Sequence, residues 1–171
     1  MSRFVALLRG VNVGGRKLVM SELREVVETA GFGDVSTFIA SGNLLLSCKL
    51  KQAGLEKKLE ALIEAEFRLK TDVFARDLDA LEAVIAANPF GVFAKGAPNF
   101  LVVHFMRGRA SAEELAAMEM TALLGEEVRQ GDNCLYIKFP KGQGASKLKT
   151  PKLGTARNWN TVTKLAALLA P

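Results

Sequence analysis

The first half of the chain alternates strand-length apolar runs with stretches of helical periodicity. The run "RFVALLRG" ends at a glycine, and a helix is predicted next, with Ser21 as its N-cap and an apolar repeat that starts at Leu23. A second helical stripe begins at Leu55. The strand-like runs "VSTFIA", "LLLSC" and "TDVFAR" occupy the remaining positions, so the pattern predicts the order βαββαβ.

The second half repeats this order of elements. The run "FLVVHFMRG" is strand-like and ends in Arg-Gly, as the first strand does, and Ser111 and Glu114 form a capping box for the next helix. Two further strand-like runs, "EEVRQ" and "CLYIKF", precede a closing helix that contains Val162 and Leu165. The second half therefore has the pattern βαββα, with or without a last strand.

Each half also has a glycine and asparagine turn between its second and third strand-like runs. The first turn contains Ser41, Gly42 and Asn43, and the second has the sequence Gly-Asp-Asn, ending at Asn133. Glycine and asparagine adopt positive φ more readily than other residues, as tight hairpin turns require. We therefore expect a β-hairpin in each half.

These patterns predict an α+β fold of two similar ferredoxin-like βαββα(β) halves, duplicated within one chain. A helix capped by Asp77 links the halves and ends before Asn88, because the residue that precedes a proline is disfavoured in helical geometry. We therefore place an N-terminal half at residues 1–88, and a C-terminal half with a basic loop and the final helix at residues 89–171.

Composition is that of an ordinary globular domain. Apolar residues make up 49% and charged residues 24% of the 171 positions. No apolar run approaches the roughly 18 residues that cross a bilayer, and the first residues lack the features of a signal peptide. We expect a cytoplasmic protein without a membrane partner, in which the distant Cys48 and Cys134 are buried, reduced thiols.

Basic residues are concentrated at the two ends of the chain. Four of them and no acidic residue precede Glu22, and seven of them and no acidic residue follow Asp132, although the net charge is only +5. This asymmetry is compatible with a solvated basic surface and with binding to a polyanion. Charge alone does not identify the anion.

The loop "GVNVGGRK", from Gly10 to Lys17, lies between a predicted strand and a predicted helix. The backbone amides of such a loop, with the N-terminus of the helix that follows, can bind an anion. Gly10 and Gly15 have the spacing of a P-loop, but Arg16 and Lys17 replace the lysine and hydroxyl residue that a P-loop requires. We expect either a weaker phosphate site or a plain tight turn.

Residues for catalysis or metal binding are scarce. The single histidine, His104, lies in a strand-like run and is expected to be a hydrogen-bonded strand residue. One histidine excludes histidine-rich metal clusters, and the carboxylates are explained by the solvated faces of amphipathic helices. The sequence therefore predicts no metal and no cofactor.

A basic, glycine-rich segment, "GQGASKLKTPKLGTARNWNT", precedes the closing helix. It contains Lys147 and no acidic residue, which is typical of an exposed, mobile loop. Loops of this composition bind phosphates through their lysine and arginine side chains. We therefore include Lys147 among the candidate ligand-binding residues.

The last part of this segment, "TARNWNT", has the composition of a helix start. With Thr155 or Asn158 as the N-cap, Trp159 turns inward and anchors the helix. Three polar side chains are then expected to project together toward a planar or anionic group: Arg157, Asn160 and Thr161. A capped helix start with a core tryptophan and no ligand explains the same pattern.

Four segments resemble a bacterial family classified only as a domain of unknown function, DUF1697. They are "LLRGVNVGGRK", "IASGN", "CLYIKFPKGQGASKL" and "TARNWNTVTKL", and they extend over nearly the whole chain. The resemblance implies a cytosolic bacterial α+β protein with two similar ferredoxin-like halves, and it implies no activity. The matching motif residues are Arg9, Gly10, Asn12, Gly14, Gly15, Ser41, Gly42, Asn43, Thr155, Arg157, Asn158, Trp159 and Thr161.

Three functions remain open. The first is a binding module in which a basic cleft between the halves holds an anionic, phosphate-bearing small molecule or nucleic acid, although few aromatic residues are placed for base stacking. The second is an enzyme that acts by electrostatic positioning of a charged small molecule, and the third is a protein-interaction domain. The candidate ligand-binding residues are Arg9, Asn12, Gly14, Gly15, Ser41, Asn43, Lys147, Arg157, Asn158, Asn160 and Thr161.

Overall fold

The computed structural model describes all 171 residues, which form two compact units. The first unit contains Met1–Ala80 and Ala167–Pro171, and the second contains Leu81–Ala166. The closing residues are bound within the first unit, where the Arg3 guanidinium donates a hydrogen bond of 3.1 Å to the Leu169 carbonyl. The predicted division of the halves after residue 88 stays a prediction.

The first unit has one four-stranded antiparallel sheet. Its strands lie in the order β2-β3-β1-β4, and β1 is paired with both β3 and β4. The order βαββαβ is confirmed, with elements β1 (Ser2–Leu8), α1 (Met20–Thr29), β2 (Gly33–Thr37), β3 (Asn43–Cys48), α2 (Gln52–Phe67) and β4 (Val73–Arg76).

The alternating direction of the side chains in β1 determines which of them pack against the two helices. Phe4, Ala6 and Leu8 point to the same face, because side chains alternate along a strand, and all three belong to one buried cluster. The helices contribute their predicted apolar stripes to this cluster through Leu23, Val27, Leu55, Leu59 and Ile63. The sheet and its two helices therefore share a core.

The second unit also has a four-stranded antiparallel sheet, in the order β6-β7-β5-β8, so the strands of the two sheets follow the same relative sequence. The predicted α+β class is confirmed, with two such sheets and six helices. The remaining elements are α3 (Leu78–Ala86), α4 (Gly91–Gly96), a 3-10 turn (Pro98–Phe100), β5 (Leu101–Phe105), α5 (Ala112–Thr121), β6 (Glu127–Gln130), β7 (Cys134–Lys138), β8 (Thr155–Asn158) and α6 (Trp159–Leu169).

Several predicted local signals have the expected geometry. Ser111 Oγ accepts a hydrogen bond from the N–H of Glu114 and the Glu114 carboxylate accepts one from the N–H of Ser111, at 3.1 and 2.8 Å, which confirms the capping box of α5. Asp77 accepts a backbone N–H bond of 2.9 Å at the start of α3. Both hairpin turns are confirmed, with φ of 88° at Gly42 and 53° at Asn133.

Two local predictions are wrong. α1 begins at Met20 with Val19 as its N-cap, in extended geometry and without a side-chain cap, so Ser21 lies inside the helix. The segment "TARN", predicted as a loop or helix start, is strand β8, in which Arg157 is paired with Val103 of β5. A four-residue strand with one apolar residue has no alternation that could reveal it, and its partner strand is distant in sequence.

Candidate functional site

The tip of the β1–α1 loop, residues 9–19, is a tight hairpin turn. The N–H of Arg16 donates to the carbonyl of Val13 at 3.2 Å, and Gly14 and Gly15 between them have φ of 59° and 85°. Positive φ at both central residues is the requirement of a type I′ turn, which explains the glycine pair. A Cβ atom at either glycine would have no neighbour within 4 Å, so conformation and not space requires glycine here.

Asn12 connects this loop to the start of α1 and to the first predicted hairpin turn. Its Oδ1 accepts a hydrogen bond of 2.8 Å from the N–H of Leu18, and its Nδ2 donates one of 2.5 Å to the carbonyl of Ala40. The loop and the turn therefore lie together. The side chain of Asn12 is engaged in holding them in place.

The hairpin turn is packed tightly against the same loop. A Cβ atom on Gly42 would lie 2.5 Å from Val11 Cγ2. Asn43, fully buried, donates hydrogen bonds of 2.9 and 3.1 Å from Nδ2 to the carbonyl of Phe38 and to Ser41 Oγ. Ser41 and Asn43 therefore shape the turn through their own contacts.

The two arginines of the loop make contacts with the segment that precedes β4. Arg9 forms an ion pair with Asp72, with 3.5 Å between Nη1 and Oδ2, and its side chain is 39% exposed. The guanidinium of Arg16 donates to the carbonyl of Lys70. An exposed ion pair of this kind contributes roughly 0–1 kcal/mol, so it leaves Arg9 able to exchange partners.

An open depression of about 320 Å³ lies where the loop meets α1, and Lys17 at its border is exposed. Because α1 has no side-chain cap, its first backbone N–H groups lack side-chain acceptors. It is lined by Asn12, Gly15, Arg16, Lys17, Leu18 and Val19. The last four of these were not among the candidate ligand-binding residues.

The predicted basic segment of the second unit is largely exposed between β7 and β8. Ser146 donates a hydrogen bond of 2.5 Å from Oγ to Glu126 Oε1, and this bond lowers the pKa of Glu126. Three lysines of the segment and the lysine that precedes it are exposed, with no acidic residue among them: Lys147, Lys149, Lys152 and Lys141.

Arg157 is buried, and the prediction that it projects outward from a helical turn is wrong. Arg157 lies in β8 and is 7% exposed. Its Nη1 donates hydrogen bonds to Thr155 Oγ1 at 2.7 Å and to the carbonyl of Ala156 at 2.8 Å. Burial lowers the pKa of Arg157 to about 10. The sequence motif therefore reflects a buried cation in a strand, where a neighbouring hydroxyl and carbonyl accept its hydrogen bonds.

The remaining candidates lie at the start of α6. Asn158 Oδ1 accepts a hydrogen bond of 3.0 Å from the N–H of Thr161, so Asn158 is the N-cap, one of the two predicted caps. Asn160 donates from Nδ2 to Asn99 Oδ1 at 2.6 Å, and Thr161 is buried. Trp159, which was expected to turn inward, is half-buried. These contacts describe a capped helix start.

His104 lies in β5, which confirms the predicted strand position, and it is buried, with 5% exposure. A Cβ atom on Gly154 would overlap with its Nε2, so only glycine allows the chain to pass this close to the imidazole. Both cysteines, Cys48 and Cys134, are buried thiols outside any disulfide bond, as expected. Across the chain, no group of three or more histidine, cysteine or acidic side chains is placed to bind a metal ion.

These features define a class, a mixed α+β protein with two four-stranded antiparallel sheets and a basic loop at the start of its first helix. The family of proteins of unknown function DUF1697 matches residues 1–136, and the chain belongs to this family. A conserved bacterial protein from Streptococcus pneumoniae, known from its solved structure, is 25% identical, with 99% of each chain covered and a TM-score of 0.78. No curated protein matches the chain. None of the six helices has the length and apolar character needed to cross a membrane.

Proposed function

We propose that the protein binds an anionic, phosphate-bearing ligand at the depression between the β1–α1 loop and the start of α1. One observation carries this proposal: Arg16, Lys17 and Val19, the N-cap of α1, line the same open space of about 320 Å³. The site thus combines two cationic side chains with a helix N-terminus, and both favour a bound anion.

The start of α1 would supply backbone donors to such an anion. Its N-cap, Val19, has no oxygen in its side chain, whereas Ser111 caps α5 and Asn158 caps α6. The partial positive charge at a helix N-terminus, about half an elementary charge, is therefore not offset by a capping side chain. A phosphate oxygen can take the place of the missing cap.

The basic pair provides the charge-assisted contacts. Lys17 is exposed, so its ammonium can reach the depression without breaking an internal contact. Arg16 is oriented by its bond to the carbonyl of Lys70 and retains further N–H donors in its planar fork. Glu22, in the first turn of α1, opposes the anion through its own negative charge. We therefore expect weak binding that falls as salt rises.

A nucleic acid is a second candidate ligand, favoured by the lysine segment of the second unit, residues 141–152. Lys141, Lys147, Lys149 and Lys152 are exposed within a stretch that has no acidic residue. Such a stretch attracts a polyanion over several ångströms without base-specific contacts. Catalysis has less support than binding, because the only histidine is buried beside Gly154 and Arg157 is buried in β8.

We also propose that the two halves are ferredoxin-like and arose by duplication. The support is the matching strand order of the two sheets and the shared succession of strand, helix and two strands in each half. The halves differ in the next connection: α2 connects β3 to β4, whereas a helix-free segment connects β7 to β8. A helix follows the last strand in both, α3 after β4 and α6 after β8.

The test is an NMR titration of the protein with inorganic phosphate and, separately, with a 5′-phosphorylated single-stranded octanucleotide. We expect phosphate to shift the amide signals of residues 14–22, and Lys17→Ala to weaken its binding by about tenfold, as loss of a charge-assisted hydrogen bond implies. Lys57→Ala is the matched control, because Lys57 is an exposed lysine of α2 that lies outside the depression.

Other results would contradict the proposal. Equal loss of affinity in the Lys17 and Lys57 variants would indicate general charge attraction without a site. Shifts confined to residues 141–152 on adding the octanucleotide would assign phosphate binding to the lysine segment and remove the loop from it. Affinity that does not fall as salt rises would exclude both versions.

A further inference from the structure

We propose that the second unit binds an extended, basic peptide segment of a partner protein along the outer edge of β6, in the groove between β6 and α5. The peptide would add a fifth strand to the sheet, with lysine or arginine side chains facing the acidic residues of the groove. None of the residues involved belongs to the proposed phosphate site.

The first argument is the position of β6 at the edge of its sheet. β6 is paired only with β7, so alternate residues direct their N–H and C=O groups away from the sheet. The carbonyl of Val128 accepts an exposed hydrogen bond of 3.0 Å from the guanidinium of Arg129, its own neighbour. An incoming peptide N–H can replace this bond. Four strand residues present roughly 13 Å of edge, enough for four residues of a ligand.

The second argument is the shape of the groove. A cavity of about 440 Å³ runs between the strand and the helix, and all four residues of β6 line it. Since consecutive strand side chains point to opposite faces, a cavity that touches all four reaches the edge of the strand and not one face alone. The opposite wall is formed by Leu115, Met118 and Glu119 of α5 and by Ala122, which follows the helix.

The third argument is that the apolar floor of the groove is incompletely covered. In the first unit, Val35 of β2 and Leu23 of α1 are buried members of the core. In the second unit, Val128 of β6 and Leu115 of α5 are only partly buried against the corresponding cluster. An apolar side chain of the peptide can therefore fill space that the second unit leaves open.

The surroundings of the groove are those of an interaction surface. Three large apolar side chains follow one another at the end of α5 and in the next turn: Met120 is 80% exposed, Leu123 is 76% exposed and Leu124 is 38% exposed. Three exposed large apolar side chains this close in sequence are unusual, because the exposed apolar residues of a monomer are normally scattered.

Charge determines the chemistry of the partner. Three glutamates and one arginine line the groove, and Glu119 is exposed on α5. Glu127 is also exposed, and its contact with Lys138 is a weak ion pair of 3.8 Å. The groove is therefore acidic in a chain whose net charge is +5, so charge complementarity favours a basic segment over an acidic one.

The probe is an acetylated and amidated octapeptide of alternating valine and lysine, titrated into the full chain and followed by backbone NMR. We expect binding with a Kd below about 1 mM and shifts centred on residues 127–130 and 115–122. Glu119→Lys should weaken binding at least tenfold, whereas Glu82→Lys, an equal change at an exposed position of α3, should leave it within about twofold.

Two peptides with N-methyl groups on alternate residues test the strand addition itself. In only one of the two peptides are the methylated residues those whose N–H groups face β6. That peptide should lose binding, and the other should keep it. The proposal fails if both behave alike, if alternating valine and glutamate binds as well, or if no peptide binds below about 1 mM. It also fails if residues 127–130 shift with protein concentration alone, because the edge then belongs to a second copy of the chain.

Discussion

Glu56 Oε1, on the buried face of α2, accepts a hydrogen bond of 2.8 Å from the backbone N–H of Ala75 in β4. Glu60 accepts a corresponding bond of 2.9 Å from the N–H of Val73, two residues earlier in the strand. β4 is an edge strand, so these carboxylates occupy the N–H groups that another chain could pair with. The β4 edge of the first sheet is thereby closed to strand addition, in contrast to the β6 edge of the second sheet.

We expect Glu56→Ala to lower the free energy of unfolding by roughly 1–3 kcal/mol, because it leaves the buried N–H of Ala75 without this acceptor. Glu56→Gln should retain part of the bond through its amide oxygen, so it should lower the free energy of unfolding by less than Glu56→Ala does. Glu64→Ala, on an exposed position of the same helix, should change stability by less than about 0.5 kcal/mol. Urea denaturation of the four proteins measures these differences. Equal effects at Glu56 and Glu64 would refute the role of the edge contact.

The two glycine turns of the first unit should respond differently to alanine. Gly42→Ala places a methyl group 2.5 Å from Val11 Cγ2 in a residue with φ of 88°, so steric overlap adds to backbone strain. Gly14→Ala, with φ of 59° and open space, incurs strain alone, about 1 kcal/mol. We expect Gly42→Ala to be more destabilising than Gly14→Ala by at least about 1 kcal/mol in thermal or urea unfolding. The reverse order would show that the loop and turn do not pack as described.

Periodicity in the sequence predicted the first unit well. Strands β1 and β3 contain continuous apolar runs and the helices carry Leu23 and Leu55 at helical spacing, so the burial of these elements leaves a visible pattern. β8 has no such pattern, because Arg157 is buried while Ala156 is only partly so. A buried arginine inverts the usual relation between polarity and exposure, and no local signal reveals that a distant strand pairs with it.

The candidate site was predicted in part for a related reason. Polar residues in loops suggested donors for a ligand, but Asn12 and Asn43 hold backbone groups of their own loops, and Asn158 caps a helix. Asparagine serves both purposes equally well, so its identity cannot separate them. Arg16 and Lys17, which line the depression, were not among the predicted candidates, although a basic pair beside glycines is not required by the turn itself.

Loss of the α6 cap should be measurable. Asn158→Ala removes the acceptor for the N–H of Thr161 and should lower the free energy of unfolding by about 1 kcal/mol, whereas Asn158→Asp should retain most of the stability. Asn160→Ala, at an exposed position two residues later, breaks only a contact with Asn99 and should lower the free energy of unfolding by less. If Asn158→Ala is neutral in chemical denaturation, the hydrogen bond does not cap the helix.

Removing the charge of Glu22 should strengthen phosphate binding at the proposed site, whereas removing that of Lys17 should weaken it. Its carboxylate stands in the first turn of α1, where it repels an anion held at the helix N-terminus. Glu22→Gln should tighten binding of inorganic phosphate about two- to fivefold at low salt, and the gain should shrink as salt is added. Glu25→Gln, an exposed residue further along the helix, is the control. A gain of equal size in both variants would point to net charge alone.

Alkaline stability should depend on Tyr136, the only tyrosine of the chain. Burial raises the pKa of its phenol above the ordinary value of 10.0, and its hydroxyl donates a hydrogen bond of 2.6 Å to the carbonyl of Val84. Above pH 10 the unfolded phenol therefore loses its proton while the folded one keeps it. Since the folded state then binds more protons, stability falls as pH rises.

Tyr136→Phe removes this dependence together with the hydrogen bond. We expect the variant to be less stable than the parent by about 1 kcal/mol at pH 7, because a buried carbonyl loses its donor. Between pH 10 and 11.5 the deficit should narrow, since the parent alone loses the phenol contribution, while lysine titration affects both proteins alike. Urea denaturation at pH 7, 10 and 11 measures the difference. A deficit that stays constant or widens with pH would mean that the phenol ionises as readily in the folded chain as in the unfolded one.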